Sequence, residues 1–155
     1  MTRLFFLMIT LCSLFLCSCD DAVFYEENQS IDGGKWSANE GKSFEFDVQD
    51  TTHLYNFYVN LRNGEEYAYR NLYLFIEMEF PNGKKSTDTL DCPLADPMGN
   101  WYGSGLGKIY DNRILFRERK RFPLSGRYKV EIFQGMRHEQ LEGIYDVGFR
   151  LAKSN

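Results

Sequence analysis

The chain has 155 residues, with 18 basic and 22 acidic side chains for a formal net charge of −4, and 43% of its residues are hydrophobic. That length fits one domain and excludes a multidomain enzyme, while the composition is that of a globular body and not of a disordered chain. An acidic balance offers no basic face to displace counterions from phosphates, so no nucleic-acid partner is expected.

From the amino terminus, Arg3 precedes an apolar run from Leu4 to Leu16. At about thirteen residues it suits the core of a signal peptide and falls short of the roughly 20 that span a bilayer as a helix. Leu16-Cys17-Ser18-Cys19 follows, and only Cys19 has both a Leu three places before it and a small residue just before it. This resembles the bacterial lipobox, and a plain secretory signal is the alternative. The resemblance implies cleavage after Ser18, diacylglyceryl transfer to the Cys19 sulfur and acylation of the new amino terminus, which together make stable anchoring. Residues 1–18 are then a lipoprotein signal peptide and 19–34 a lipidated tether, acidic and polar and ending at Gly33-Gly34. Residues 35–155 form a single domain. Asp20 and Asp21 resemble acidic tethers that bias such lipoproteins toward the outer membrane. Losing Cys12 and Cys17 and alkylating Cys19 leaves Cys92 as the lone free thiol, expected to be buried and inert. With only His53 and His138 as imidazoles, no metal site and no cofactor are expected.

The body reads as a run of short strands. Phe44, Phe46 and Val48 alternate with Glu45 and Asp47, and Tyr55, Phe57, Val59 and Leu61 repeat the pattern up to a turn at Asn63-Gly64. Leu72, Leu74, Ile76, Met78 and Phe80 make the strongest alternation, with Tyr73 and Phe75 opposite, so burial on both faces is expected at its start. Lys85 to Asp91 returns as an edge strand. Further strands cover Arg113 to Arg119, then Tyr128, Val130 and Ile132, and finally Tyr145, Val147, Phe149 and Leu151, with Asp146, Gly148 and Arg150 on its other face. Gly135 to Leu141 is too short and polar to assign. Thirteen Phe, ten Tyr and two Trp, 16% of the chain, suit such strands. The class is all-β, an antiparallel β-sandwich of which the jelly roll is one form.

The stretch Leu94 to Gly107 is the least regular, with glycines at 99, 103, 105 and 107 and prolines at 93 and 97 close by. It is a candidate recognition loop in which Trp101 and Tyr102 present stiff surfaces to a protein or a sugar. Equally, it is a crossover between sheets, with Trp101 filling the core and Asp96 capping a turn. Asp91, Asp96 and Asp111 flank it, but a loose set of carboxylates is not a glycosidase pair, and the chain is expected not to be an enzyme. Arg117, Arg119, Lys120 and Arg121 form a basic run, either a solvated strand face or a surface for an acidic partner or lipid headgroups.

At this loop the chain resembles the gliding-motility lipoprotein family GldH of the Bacteroidetes. The resemblance is carried by Cys19, Trp36, Tyr69-Arg70-Asn71-Leu72-Tyr73-Leu74, Asp88-Thr89-Leu90 and Leu94 to Gly107. It continues through Tyr110-Asp111, Phe122-Pro123, Gly126-Arg127-Tyr128, Met136-Arg137 and Leu141 to Gly148. It implies a non-catalytic cell-envelope lipoprotein of the outer membrane that supports gliding motility and the associated type nine secretion machinery. Its partners would be other envelope lipoproteins or secretion and motility components. A glycan-binding module on the envelope is the alternative. Within that resemblance Arg137 is placed to pair with Asp96, Asp111 or Asp146, Asp111 being the candidate partner. Asp50-Thr51-Thr52 resembles a short O-glycan attachment site, with Thr51 as acceptor.

Overall fold

A computed structural model describes residues 23–154, so the signal peptide, Cys19 and Asp20-Asp21 lie outside the described residues. The elements are β1 (Val23–Ser30), a 3-10 turn (Asp32–Gly34), β2 (Lys35–Ser37), β3 (Lys42–Val48), β4 (Leu54–Gly64) and β5 (Asn71–Glu79). After these come β6 (Lys85–Pro93), β7 (Ile109–Lys120), β8 (Gly126–Gln134), β9 (Gln140–Glu142) and β10 (Ile144–Ser154). Two four-stranded antiparallel sheets have the orders β1-β10-β4-β7 and β3-β8-β5-β6, and β2 pairs with β9 as a separate ribbon. With that ribbon set aside, the first strand lies beside the last, and the strands alternate between the sheets except at the β5–β6 hairpin, as in a jelly roll. The all-β sandwich expected from the alternation is the fold found. Among the described residues, no helix is long and apolar enough to cross a membrane.

Alternation works here because a strand turns successive side chains to opposite faces, and each sheet has one face toward its partner. Phe44, Phe46 and Val48 face Phe57, Val59, Val147 and Phe149 across the interior, and all are buried. Aromatic rings fill the gap. Phe46 stacks on Tyr128 at 5.7 Å and on Phe149 at 5.8 Å, while Phe122 inserts its ring 4.8 Å from Tyr128, 5.2 Å from Tyr55 and 5.3 Å from Phe57. The Tyr128 hydroxyl donates to the Leu124 carbonyl at 2.7 Å and so ties down the β7–β8 turn that carries Phe122. Cys92 is free and fully buried, and burial pushes its thiol up to about 12, as expected of an inert residue.

Three expectations change. The polar segment expected as part of the tether is, from Val23 onward, part of the folded body: β1 pairs with β10 along its length, from Val23 opposite Ala152 to Ser30 opposite Asp146. Its apolar side chains are the adjacent Val23, Phe24 and Tyr25, of which Phe24 and Tyr25 pack against the core while Val23 is exposed, and three neighbours write no alternating pattern. Tyr73 and Phe75 are 41% and 44% exposed. Leu72, Leu74, Ile76 and Met78 take the inner face, so the opposite face meets solvent, with Phe133 directly across from Phe75. Third, the unassigned stretch near Leu141 forms β9, which pairs Leu141 with Trp36. Trp36 is fully buried and its indole donates to the Glu40 carbonyl at 2.8 Å.

The register sorts the loops by end. Val23, Ser154, Leu54 and Lys120 lie together, as do Val48 and Gly126. This places the 49–53, 80–84 and 121–125 turns with both described chain ends at one end, the base. Segments 31–41, 64–70, 93–108 and 135–143 lie at the other.

Candidate functional site

The 94–107 loop is ordered by backbone bonds. Leu94 and Ala95 both donate to the Arg70 carbonyl, at 2.8 and 2.9 Å, and the Tyr102 amide returns to the Leu94 carbonyl at 2.9 Å. The Asp96 carboxylate accepts from the Met98 amide at 2.8 Å, the Asn100 amide at 2.9 Å and the Asn100 side chain at 2.8 Å. These donors, the Asn100 side chain foremost, hold the Asp96 carboxyl below its ordinary value. Asp96 is therefore the cap of a turn. Trp101 is half-buried and packs at 5.6 Å from Tyr110 and 6.5 Å from Tyr67. Tyr102, next in the chain, is 61% exposed. Neighbours in sequence thus point apart, with no shared aromatic platform. The exposed apolar residues of this segment are Met98, Tyr102 and Leu106, the last 94% exposed.

Beyond this loop, the outward face of the β1-β10-β4-β7 sheet carries a polar trough. Its register lays side chains in three cross-strand rows: Ser30, Asp146, Arg62 and Asp111; Asn28, Gly148, Asn60 and Arg113; Glu26, Arg150, Tyr58 and Leu115. Cross-strand neighbours on one face are within hydrogen-bonding reach. Arg62 stands at the centre of the first row, donating from Nε to Asp111 at 2.7 Å and from Nη1 to Asp146 at 3.0 Å. Ser30 donates to the same Asp146 at 2.9 Å. In the other rows Glu26 accepts from Asn60 at 2.7 Å, from Arg113 at 3.2 Å and from the buried Arg150. Burial works to raise the Glu26 carboxyl, but the bonds from Arg150 and Asn60 and the nearby guanidinium charges outweigh it and lower it below its usual range. The bond to Asp111 likewise raises the Arg62 guanidinium.

Gly148 makes the floor. A Cβ there would lie 1.9 Å from Asn28 Oδ1 and 2.8 Å from the Glu27 carbonyl, so only glycine lets Asn28 cross β10 to reach Asn60, 3.1 Å away. The trough encloses about 590 Å³, and a second depression of about 580 Å³ continues past Asp146 to Tyr145, Ile109 and Leu106. Three guanidiniums face three carboxylates, each carboxylate bonded to at least one of them. Such a surface offers fixed donors and acceptors to a polar partner at no net charge. Among the described residues, no group of three His, Cys, Asp or Glu is placed to hold a metal.

Of the candidate site residues singled out from sequence, Asp111 belongs to the trough, as does Asp146, the other strand-borne carboxylate considered for Arg137. The pairing of Arg137 with Asp111 does not form: Asp111 is taken by Arg62 on the neighbouring strand, while Arg137 is exposed beyond the end of β8, at residue 137. Thr51 is half-buried in the 49–53 turn, where Asp50 accepts from the Thr52 amide at 2.7 Å and hydroxyl at 2.6 Å. Arg62, Asn60 and Arg113 escaped notice because they are the polar halves of strands recognised by their apolar halves. Glu26, Asn28 and Ser30 lie in a polar stretch whose composition matches that of a spacer.

A family model described as GldH lipoprotein matches residues 23–151. A gliding motility lipoprotein GldH homolog of Christiangramia forsetii is 40% identical over 149 residues, covering 92% of this chain and 91% of its own. The gliding motility lipoprotein GldH of Flavobacterium johnsoniae is 35% identical over 155 residues, covering 96% of both. Among solved structures, an uncharacterized protein of Listeria monocytogenes aligns at TM-score 0.33 and 14% identity, over 86% of this chain and 11% of that one. That likeness is too distant to bear on function.

Proposed function

The chain belongs to the GldH lipoprotein family, and from that premise we propose that it is a non-catalytic docking module, lipid-anchored through Cys19 in the outer membrane. It supports gliding motility and the associated type nine secretion machinery by contacts with other envelope proteins. One observation carries the docking role: the trough's charges are already paired into a fixed planar network, and apolar side chains flank it at both ends. Leu106 rims the depression beyond Asp146, and Leu115, 44% exposed, closes the third row. A partner that seats apolar side chains on these two and hydrogen-bonds the rows between them finds its binding surface preorganised. It has no unpaired charge to desolvate.

Glycan binding is the second reading, supported by the amide and guanidinium lining of a trough large enough for a sugar. It lacks a flat aromatic floor, since Trp101 turns inward and the floor is Gly148. The test is crosslinking and affinity isolation of the native chain from outer membranes, alongside Arg62→Glu and Leu106→Ala. Envelope proteins recovered with the native chain and lost with both variants are expected. Recovery of none, together with saturable binding of a defined glycan, overturns the protein-docking role.

A further inference from the structure

The basic run noted in the sequence is part of a larger feature that only the fold assembles. At the base, the 49–53, 80–84 and 119–125 segments and residues 152–154 hold five cations, Lys84, Arg119, Lys120, Arg121 and Lys153, against the single carboxylate of Asp50. The opposite end is the reverse: segments 31–41, 64–70, 93–108 and 135–143 hold seven carboxylates against four cations. Pairing sharpens the contrast. Over the sheet faces cations are matched, Lys85 to Glu77, Arg113 to Glu26 and Arg62 to two aspartates. Among the described residues, no carboxylate stands within ion-pair distance of Lys84, Lys120, Arg121 or Lys153. Arg70 and Arg137 at the other end also lack an ion pair among the described residues, but they stand among a surplus of carboxylates, so this acidic protein carries a net positive charge at the base alone.

That end is also where β1 begins. Val23 is only four residues past Cys19, a reach of at most about 14 Å even fully extended. A lipid on Cys19 therefore holds the base within that distance of the headgroups, close to the roughly 8–10 Å over which surface charges act at physiological salt. Asp20 and Asp21 lie in the same short link and subtract from the positive charge without cancelling it.

We infer that the base of the sandwich is a membrane-facing surface on which Lys84, Arg119, Lys120, Arg121 and Lys153 meet the phosphates of an anionic lipid surface. The body then stands on its base, with the 93–108 loop directed away from the bilayer. This deepens the anchored-module reading and rests on the lipid at Cys19 for its geometry.

The test uses the mature chain, residues 19–155, with Cys19→Ser so that acyl chains play no part. Vesicles of phosphatidylcholine alone are compared with an equal mixture of phosphatidylcholine and phosphatidylglycerol. Cosedimentation with the mixed vesicles only, abolished by high salt, is expected. At about fivefold per cation near such a surface, Lys120→Gln with Arg121→Gln should weaken binding by about 25-fold, with an unchanged melting temperature showing the fold intact. Equal binding to both vesicles, binding to neither, or indifference to the double substitution overturns the inference. Crosslinking of the base to an acidic envelope protein, without vesicle binding, overturns it in favour of a protein partner. Detergent-phase partitioning of the native lipidated chain reports separately on the anchor, so loss of anchoring is distinguishable from loss of headgroup binding.

Discussion

At Gly148 a missing side chain decides what the trough is. Gly148→Ala drives a methyl into Asn28 and the β1 backbone, and such overpacking costs about 1–3 kcal/mol. The expected loss is read in urea unfolding, while an alanine at the open Gly107, where a Cβ meets nothing within 4 Å, pays only for its positive φ. Phe122 is the opposite case, a large side chain supplied by a turn. Phe122→Ala opens a hole among Phe46, Tyr55, Phe57 and Tyr128 and is expected to cost about 3–5 kcal/mol. Glu26 sets an acid dependence. Its folded carboxyl titrates below the unfolded one, so its contribution is fully present above the unfolded value of about 4.3 and is lost as pH falls through the folded value. The melting temperature should fall in that acid window, and Glu26→Gln should flatten the fall while lowering stability near neutrality, since the charge-assisted bonds from Arg150 and Arg113 to Glu26 are then weakened. Arg62 differs because its own side chain and that of Asp111 are each about half in water. Arg62→Ala should change stability by no more than about 1 kcal/mol yet abolish partner capture, so a large melting shift would return Arg62 to a structural role.

Among the elements, the strands that form the two inner faces were legible because each repeats an apolar residue every second position. β3, β4, β5, β8 and β10 all do so, and β6 takes the edge position expected of Lys85 to Asp91. β1 was not legible: at a sheet edge it presents Glu26, Asn28 and Ser30 to the trough, and only Phe24 and Tyr25 join the core's margin. β2 and β9 are three residues each, too short for any period to show. The trough was illegible for a related reason. Its rows join residues as far apart as Glu26 and Arg150, and only the registers of β1, β10, β4 and β7 place them side by side. β1 is nonetheless integral, since it covers the β10 edge. A chain beginning at Asp32 bares that edge together with the ring of Phe149, which packs against Tyr25 at 6.3 Å. It is expected to self-associate in size-exclusion chromatography where the longer chain stays monodisperse.

For the whole molecule, the jelly-roll order could not be derived from local pattern, because it concerns which distant strands meet. Once formed, it gives the two ends opposite charge and sets the 93–108 loop at the end opposite the start of β1. It also fixes how the protein would carry tension. With the anchor proposed at Cys19, a load from the membrane would reach β1 at Val23 and pass along the strand axis, while β10 runs antiparallel beside it from Ser154 back to Ile144. A pull between the bilayer and a partner seated at the Ser30 end of the trough therefore slides β1 lengthwise against β10. The hydrogen bonds of the β1–β10 ladder then resist in shear, all together, whereas a strand lifted sideways gives them up one by one. Pairing the first strand with the last makes the point of attachment also the point best braced against traction.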